Sequence, residues 1–333
     1  MQVLIYGTGA IGSYIGGQLL QNGVDVTFVA RGANYEALAQ KGLTMSWDDA
    51  RQVHQKVVVK RPGEFKKRCD VIYVTLKAMQ LVDAAQDIQS LLANDGALVM
   101  IQNGLPWWYF QNIASPWQGQ TLQSLDPDKS LAKHINLAQV IGATIYRPIT
   151  MKVPGHVTIN RYASEKLIIG EVDNQLTNRL EKIQTLTHLS GIPTQATSDI
   201  RGAKWNKLML NLVWNPLCAL TRRAPGHIAA FPGGTQLIKE LFNEGKAVAA
   251  SLGVTVSLDE QNELKRVQSI FNEKPSMFHD AVNGRPMEID AIVNAVIECA
   301  QITQTPTPNL NTLATYIGLL NQHLQEKNDD LIQ

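Results

Sequence analysis

The chain has 333 residues, enough for about two domains of ordinary size, and 44% of them are hydrophobic. Charged residues make up 18% and the formal net charge is +1, so no overall field draws the protein to nucleic acid or to an anionic membrane. Cys69, Cys218 and Cys299 lie far apart and the seven histidines show no ligand spacing. This pattern argues against a disulfide framework and against a metal site.

The N-terminal stretch QVLIYG has no lysine or arginine ahead of its apolar run, which is not the pattern of a signal peptide. No apolar stretch reaches the ~20 residues that span a bilayer. We therefore expect a cytoplasmic protein with no membrane partner.

The first elements of the chain predict a dinucleotide-binding unit. A buried strand over residues 2–6 leads into a Gly-x-Gly-x-x-Gly motif, a helix that stops at Asn22-Gly23, and a second strand over residues 24–31. In this strand–turn–helix context the glycines allow a tight turn, and the helix N-terminus offers N–H groups to a pyrophosphate. The alternative is a glycine turn with a purely structural role. The predicted cofactor contacts here are Gly7, Thr8, Gly9, Ala10, Ile11 and Gly12.

The end of the second strand predicts which dinucleotide binds. An NAD-dependent enzyme places Asp or Glu there, but this sequence has Arg31, 19 residues after Gly12. A guanidinium at this point pairs with a 2′-phosphate, so we expect NADP(H). The alternative is a surface arginine at the end of a strand.

Two further polar residues follow predicted strands. Lys77 ends the run at 71–77, which a helix over 78–93 follows, and Asn103 stands near the end of the run at 97–104. Ligands of open α/β sheets bind outside the carboxyl ends of the strands, so both residues are candidate contacts for cofactor or substrate. An exposed lysine and a simple Asn-Gly turn remain the alternatives.

The rest of the chain predicts a change of fold class. Residues 105–137 suggest a loop-rich excursion, and strands are predicted at 139–147, 157–160 and 166–172, followed by a helix to residue 190 and a break at 191–194. From about residue 198 the period is helical. We predict an α/β protein with an N-terminal Rossmann-type dinucleotide-binding domain (1–196) and a C-terminal all-α substrate and catalytic domain (197–333).

A long helix through about residue 220 carries an unusual polar stripe. Lys207, Asn211 and Asn215 follow one another at steps of four, and most of the remaining circumference is apolar. A helix that is apolar nearly all round is buried, and buried polar groups need partners. The stripe therefore predicts one wall of a ligand site, with an internal hydrogen-bond network as the alternative. Pro216 predicts a bend just after it.

At this point the sequence resembles the ketopantoate reductases (2-dehydropantoate 2-reductases). The resemblance is carried in chain order by the glycine motif, the strand end VTLKA at 74–78, Asn103-Gly104, the K-x3-N-x3-N-P helix at 207–216, and Ser276-Met277 with Glu288-Ile289-Asp290.

The resemblance implies NADPH-dependent reduction of 2-dehydropantoate to pantoate, a step of pantothenate biosynthesis, at a site between two domains. It implies that Lys207 is the general acid and that Glu288 orients the substrate and that lysine. The other implied substrate contacts are Asn103, Asn211, Asn215 and Ser276. Arg31 and Lys77 are the implied cofactor contacts, and Asn103 is a candidate cofactor contact as well.

Several alternatives stay open at this stage. Glu288 could be only a first-turn acid of a helix, and Ser276 could be an N-cap. The segment after Gly104 departs from the family pattern with Trp107-Trp108, which could reshape the substrate site, cover it, form a subunit contact or simply pack. A reductase of another 2-oxo acid, a similar two-domain hydroxy-acid or sugar-phosphate dehydrogenase, and a non-catalytic NADPH-binding redox sensor are therefore the other hypotheses. A homodimer is open as the assembly.

Overall fold

The computed structural model describes residues 1–160 and 165–330, which form two compact units. The first unit comprises Met1–Gln102, Phe110–Thr121 and Asp128–Ile200, and the second comprises Asn103–Tyr109, Leu122–Pro127 and Arg201–Gln333. The domains predicted from the sequence meet at 196/197, and the two short segments that belong to the second unit lay within the first predicted domain.

The first unit contains a large, mostly parallel sheet with helices. Its strands are β1 Val3–Tyr6, β2 Val26–Val29, β3 Leu43–Trp47, β4 Gln52–Gln55, β5 Val58–Lys60, β6 Cys69–Val74, β7 Leu92–Met100, β8 Val140–Tyr146, β9 Ile149–Val153, β10 His156–Ile159, β11 Lys166–Glu171 and β12 Thr194–Ala196. Its helices are α1 Ala10–Gln21, α2 Gly32–Lys41, α3 Leu81–Ser90, α4 Ser130–His134 and α5 Asn178–Leu189.

The strand order identifies the fold of this unit. The eight-stranded sheet runs β12-β11-β8-β7-β6-β1-β2-β5, and the strands from β8 to β5 are parallel to one another. The first strand of the chain therefore lies inside the sheet, with β2 and β6 on its two sides, as in doubly wound dinucleotide-binding folds. β11 pairs antiparallel with β8, so β11 and β12 reverse direction at one edge. The predicted Rossmann-type fold is confirmed.

The sequence did not predict the second sheet of this unit. It has four strands in the order β4-β3-β10-β9, and only its β10–β3 pair is parallel. β4 has no buried side chain and β9 has none either, so neither strand has the apolar face that makes a strand recognisable. The predicted break at 191–194 also contains the start of β12, which adds only three residues to the sheet edge.

The second unit is helical, as predicted. Its helices are α6 Ile200–Thr221, α7 Pro225–Ala230, α8 Gly234–Ser251, α9 Glu260–Val267, α10 Ser276–Val282, α11 Ala295–Ile302 and α12 Pro308–Asp330. The first residue of α6, Ile200, belongs to the first unit. A π-helical turn, Asp290–Asn294, leads directly into α11. α8 packs against α7, α9, α11 and α12. Among the described residues, no helix combines the length and apolarity that crossing a membrane requires.

α6 is the central helix of the proposed site. Leu208, Met209, Leu212 and Val213 are almost completely buried, which agrees with the apolar circumference of the sequence. Pro216, which predicts a bend, lies inside the helix. The helix therefore carries its polar stripe through the interior of a helical unit.

Candidate functional site

The glycine motif forms the predicted turn between β1 and α1. Gly7 has a φ of +102°, and a side chain there would meet Leu76 at 3.0 Å. A Cβ on Gly12 would lie 2.0 Å from the carbonyl oxygen of Gly7 and 2.4 Å from Oγ1 of Thr75. Only glycine allows the first turn of α1 to pack this closely on the strand ends.

The start of α1 has the features that a pyrophosphate requires. The N-cap residue is Gly9, no side chain caps the helix, and the first turn has no acidic residue. An added Cβ on Gly9 would meet nothing within 4 Å, so space lies open there. The N–H groups and positive dipole end of this helix are therefore available to an anion. The residues present fit a dinucleotide.

Side chains from neighbouring elements stabilise the turn by donating hydrogen bonds to its backbone carbonyl oxygens. The carbonyl oxygen of Thr8 accepts from Oγ of Ser13 at 3.2 Å and from Nδ2 of Asn34 at 3.1 Å. Oγ1 of Thr75 donates to the carbonyl oxygen of Gly7 at 2.6 Å. These bonds tie β6, α1 and the first turn of α2 to the glycine motif, and they fix the turn before any ligand arrives.

Arg31 and Lys77 occupy the predicted strand ends. Arg31 is exposed, has extended backbone and is the N-cap of α2, two residues after β2 ends. Lys77 follows β6 by three residues, is half-buried and begins a single turn of 3-10 helix whose Gln80 accepts from its backbone N–H at 3.2 Å. Both cations stand at the carboxyl edge of the parallel sheet, where ligands of this fold bind.

The second unit brings Lys207, Asn103 and Glu288 into one hydrogen-bonded chain. Nζ of Lys207 donates to Oδ1 of Asn103 at 2.9 Å, and Nδ2 of Asn103 donates to Oε2 of Glu288 at 3.1 Å. The single amide uses its acceptor on the ammonium and one donor on the carboxylate, so its orientation is determined by the two charges. Asn103 is therefore the link between the predicted acid and its predicted partner.

Burial and charge act in opposite directions on Lys207. Desolvation lowers the pKa of its ammonium to about 8, while the negative charge of Glu288 opposes that shift. A lysine with a pKa near neutrality can hold a proton and also release it, which is what a general acid has to do.

Glu288 lies directly before a helix but is more than a first-turn acid. Its backbone carbonyl accepts from the N–H of Ile292 at 3.2 Å, and its buried carboxylate accepts from Asn103. Glu288 therefore combines a position at the start of the helix with a side-chain bond to Asn103. The start of the helix fixes the backbone of Glu288, and this aims the carboxylate at Asn103.

Gly104 allows the strand-end turn to lie against this helix. Its φ is +78°, and an added Cβ would lie 2.0 Å from the carbonyl oxygen of Ala291. That same oxygen accepts from the N–H of Leu105 at 2.9 Å. The Asn-Gly pair is therefore a turn, but one whose close approach to the π-helical segment places Asn103.

The other members of the predicted stripe differ in their surroundings. Asn215 is 2% exposed, and its buried Nδ2 has no hydrogen-bond partner among the described residues. An unsatisfied buried amide costs about 1–3 kcal/mol, so this donor suits a bound polar ligand. Asn211 is half-buried on the same stripe. Ser276 is the first residue of α10, is exposed and does not act as the N-cap, which is Pro275.

Sequence reasoning missed Lys204. It is 3% exposed, lies one turn before Lys207 on the same face of α6, and its pKa is lowered to about 7 by burial and then by the charge of Lys207. The spacing of three residues from Lys207 was a signal that could have added it to the stripe.

The two tryptophans after Gly104 are buried within the second unit. Trp107 is 5% exposed and Trp108 is fully buried, and the indole nitrogens have no hydrogen-bond acceptor among the residues that the structure describes. Arg201 lies 5.3 Å from the ring of Trp108, and its Nε donates to the carbonyl oxygen of Tyr109 at 2.8 Å. This segment is packed against the start of α6 and is not an exposed flap.

Two protein-family models match this chain and together cover most of it. The family model described as "Ketopantoate reductase PanE/ApbA" matches residues 3–174, and the model of its C-terminal part matches residues 199–321. The chain belongs to the ketopantoate reductase family. This membership, together with the dinucleotide-binding fold, implies an oxidoreductase that uses a nicotinamide cofactor.

Relatives of this ketopantoate reductase family member cover the chain almost completely. The 2-dehydropantoate 2-reductase of Mesorhizobium japonicum is 32% identical over 96% of this chain and 98% of its own. The crystal structure of a candidate ketopantoate reductase from Ralstonia solanacearum MolK2 has a TM-score of 0.89 at 29% identity, covering 97% of this chain and 98% of that one. A ternary complex of D-mandelate dehydrogenase with NADH and anilino(oxo)acetate has a TM-score of 0.83 at 21% identity, covering 97% and 99%, which shows the shared fold.

Proposed function

We propose that the protein reduces 2-dehydropantoate to pantoate with NADPH, and that Lys207 is the general acid. The observation that carries the proposal is the chain from Lys207 through Asn103 to Glu288, with an ammonium whose pKa is lowered to about 8. The 32% identity to a 2-dehydropantoate 2-reductase over nearly the whole chain supports the choice of substrate.

The reaction uses the glycine motif, Arg31 and Lys77 to hold the cofactor. The N-terminus of α1 receives the pyrophosphate and Arg31 pairs with the 2′-phosphate. When bound, NADPH supplies the hydride that turns the 2-oxo carbon of the substrate into a 2-hydroxy carbon.

The residues of the second unit handle charge and proton. Lys207 stabilises the negative charge that builds on the substrate carbonyl oxygen, and then transfers its Nζ proton to that oxygen. Asn103 holds the ammonium in position, and Glu288 keeps it protonated below about pH 8. Asn211, Asn215 and Ser276 supply neutral hydrogen-bonding groups for the carboxylate and hydroxyl of the substrate.

A second candidate is the reduction of a different, bulkier 2-oxo acid. The segment Trp107-Trp108 favours it, because it departs from the family pattern only four residues after Asn103, which bonds to Lys207. A non-catalytic NADPH sensor is disfavoured, because it would need the dinucleotide unit but not a buried lysine linked to a carboxylate.

The proposal is tested by following the absorbance of NADPH during oxidation by the purified protein. We expect rapid turnover with 2-dehydropantoate and slow turnover with a panel of 2-oxo acids that carry larger apolar groups. Faster turnover of one of the larger acids would show that 2-dehydropantoate is not the substrate, but it would leave the proposed role of Lys207 unchanged. No turnover with any 2-oxo acid, despite tight NADPH binding, would favour the sensor.

The cofactor is tested in the same assay with NADH. We expect Arg31→Ala to raise the KM for NADPH by about 10-fold or more and to leave the KM for NADH nearly unchanged, because only NADPH has the phosphate. Arg68→Ala is the matched control, since Arg68 is an exposed arginine of the same unit whose bond goes to Asn94. Equal losses for both cofactors would remove the assignment of Arg31.

The proposed homodimer is tested separately, by measuring the mass of the purified protein in analytical ultracentrifugation.

A further inference from the structure

Arg31 is not the only arginine at its end of the sheet. β2 and β5 are neighbouring parallel strands in which Val29 pairs with Lys60, and the N–H of Ala30 donates to the carbonyl oxygen of Lys60 at 3.0 Å. Neighbouring strands lie about 4.8 Å apart, so Arg31 and Arg61 leave the sheet side by side at its carboxyl edge. This is the edge at which a dinucleotide-binding fold holds the ribose of its cofactor.

Arg61 is held by three neighbours. Its guanidinium carbon lies 4.0 Å from the centre of the Tyr35 ring, and its Nη2 donates to Oε1 of Glu36 at 2.7 Å. Its Nη1 lies 3.8 Å from Glu64, whose other carboxylate oxygen accepts from the backbone N–H of Arg61 at 2.9 Å. Stacking on the ring and the hydrogen bond to Glu36 orient this guanidinium, and the nearby charge of Glu64 adds attraction.

Glu36 is the carboxylate that matters for the cofactor. It lies on α2, five residues after Arg31, and the first turn of this helix is tied to the glycine motif by the bond from Asn34 to Thr8. Its carboxylate bonds to Arg61, which leaves the sheet beside Arg31, so its negative charge lies near the edge where a 2′-phosphate would bind and would repel that phosphate if it were not neutralised. It is the kind of side chain that NAD-dependent enzymes use at the end of the second strand.

We infer that Arg61 is a specificity-determining positioning residue, which holds Glu36 away from Arg31 and so keeps the ribose site selective for a 2′-phosphorylated dinucleotide. The Tyr35 ring and Glu64 hold Arg61, and Arg61 in turn neutralises Glu36. Arg31 then has its charge available for the phosphate. The inference rests on the proposed role of Arg31.

An ordinary surface ion pair would behave differently. Arg61 and Glu36 are each about half exposed, and such pairs usually contribute little to stability. If that were the whole role, removal of Arg61 would change neither cofactor much, or would weaken both through a general loss of stability. A role in selectivity must appear in NADPH binding and depend on Glu36.

The experiment is a fluorescence titration of NADPH and of NADH into wild type, Arg61→Met, Glu36→Gln and the double variant. We expect Arg61→Met to weaken NADPH binding by about 3- to 5-fold, the upper range of one exposed charge pair, and to change NADH binding by less than about twofold. Adding Glu36→Gln to Arg61→Met should restore most of the NADPH affinity, because the competing carboxylate is gone. Arg68→Met is the matched control and should leave both affinities as they are.

Equal weakening of both cofactors, or failure of Glu36→Gln to restore NADPH binding, would overturn the inference. The wild-type titration separates this from the proposed function. A wild type with no preference for NADPH would overturn the roles of Arg31 and Arg61 together. A wild type that prefers NADPH but turns over no 2-oxo acid would contradict the proposed reaction and leave the inference on Arg61 to be decided by its own variants.

Discussion

Asn103 and Glu288 are 185 residues apart in the chain, and Nδ2 of Asn103 donates to the carboxylate of Glu288 at 3.1 Å. The other end of the same amide accepts from Lys207, so the carboxylate acts on the ammonium across a neutral side chain. This arrangement places a buried ammonium and a buried carboxylate at the two ends of one amide side chain. It also determines how the rate should respond to pH and to substitution.

The first prediction concerns the pH dependence of reduction. The proposed acid works only when Lys207 is protonated, so kcat should fall as the pH rises through about 8, the lowered pKa of its ammonium. Glu288 opposes the lowering, so Glu288→Gln should move this fall to lower pH. A series of kcat measurements from pH 6 to 10 with both substrates saturating gives the two curves. A fall that moves to higher pH in the variant would contradict the assigned electrostatics.

A second prediction concerns the turn that places Asn103. Gly104→Ala puts a Cβ 2.0 Å from the carbonyl oxygen of Ala291 at a φ of +78°, so it should cost about 2–5 kcal/mol of unfolding free energy and lower kcat. Gly253→Ala is the matched control, because Gly253 has a φ of +77° but an added Cβ would meet nothing within 4 Å. The control should cost about 1–2 kcal/mol and leave kcat unchanged. Urea unfolding measures the loss of unfolding free energy in the two variants. Similar losses would show that the close contact with Ala291 is unimportant.

A third prediction concerns the pH dependence of stability that the burial of Lys204 in α6 should cause. Its pKa in the folded protein is lowered to about 7 from an ordinary 10.5, so between these values the unfolded chain binds more protons than the folded one. Its contribution to stability is therefore least favourable below pH 7 and improves as the pH rises towards 10.5. The unfolding free energy of wild type minus that of Lys204→Met should rise with pH by up to about 1.4 kcal/mol per pH unit in this window.

Urea unfolding at pH 7, 8 and 9 measures that difference, and comparison with the variant cancels the other titrating groups in large part. A flat or falling difference would mean that Lys204 is not held in a desolvated position. Lys182→Met is the control for the loss of a lysine as such, because Lys182 is an exposed residue of α5.

The parts of this protein that sequence could predict are those with a local signal. The glycine motif requires Gly7 and Gly12 for contacts within a few residues of the turn, and the stripe on α6 follows from helical spacing alone. The two fold classes were predicted from the periodicity of the sequence, and the resemblance to the ketopantoate reductases rested on these two motifs together with those at 74–78, 103–104, 276–277 and 288–290. Arg61 had no such signal, because its relation to Arg31 depends on the pairing of β2 with β5.

The organisation of the proposed site could not be predicted for the same physical reason. Lys207 and Asn103 are 104 residues apart, and their contact depends on how Gly104 packs on the helix that contains Ala291. Glu298 binds the N–H groups of Gln123 and Ser124 and so holds the segment Leu122–Pro127 in the helical unit. No local pattern in that irregular segment indicates this bond.

The measurement that tests the central claim most directly compares wild type with Lys207→Met in turnover of 2-dehydropantoate and in NADPH binding. Lys207 belongs to the helical unit, so we expect a loss of about 10²–10⁴-fold in kcat, the usual contribution of a general acid, with NADPH affinity changed by less than about threefold. Asn206→Ala is a control on the same helix, since its side chain bonds to Gly202 and Ser257. A Lys207→Met enzyme that keeps most of its rate would contradict the proposed role of this lysine, whatever the substrate.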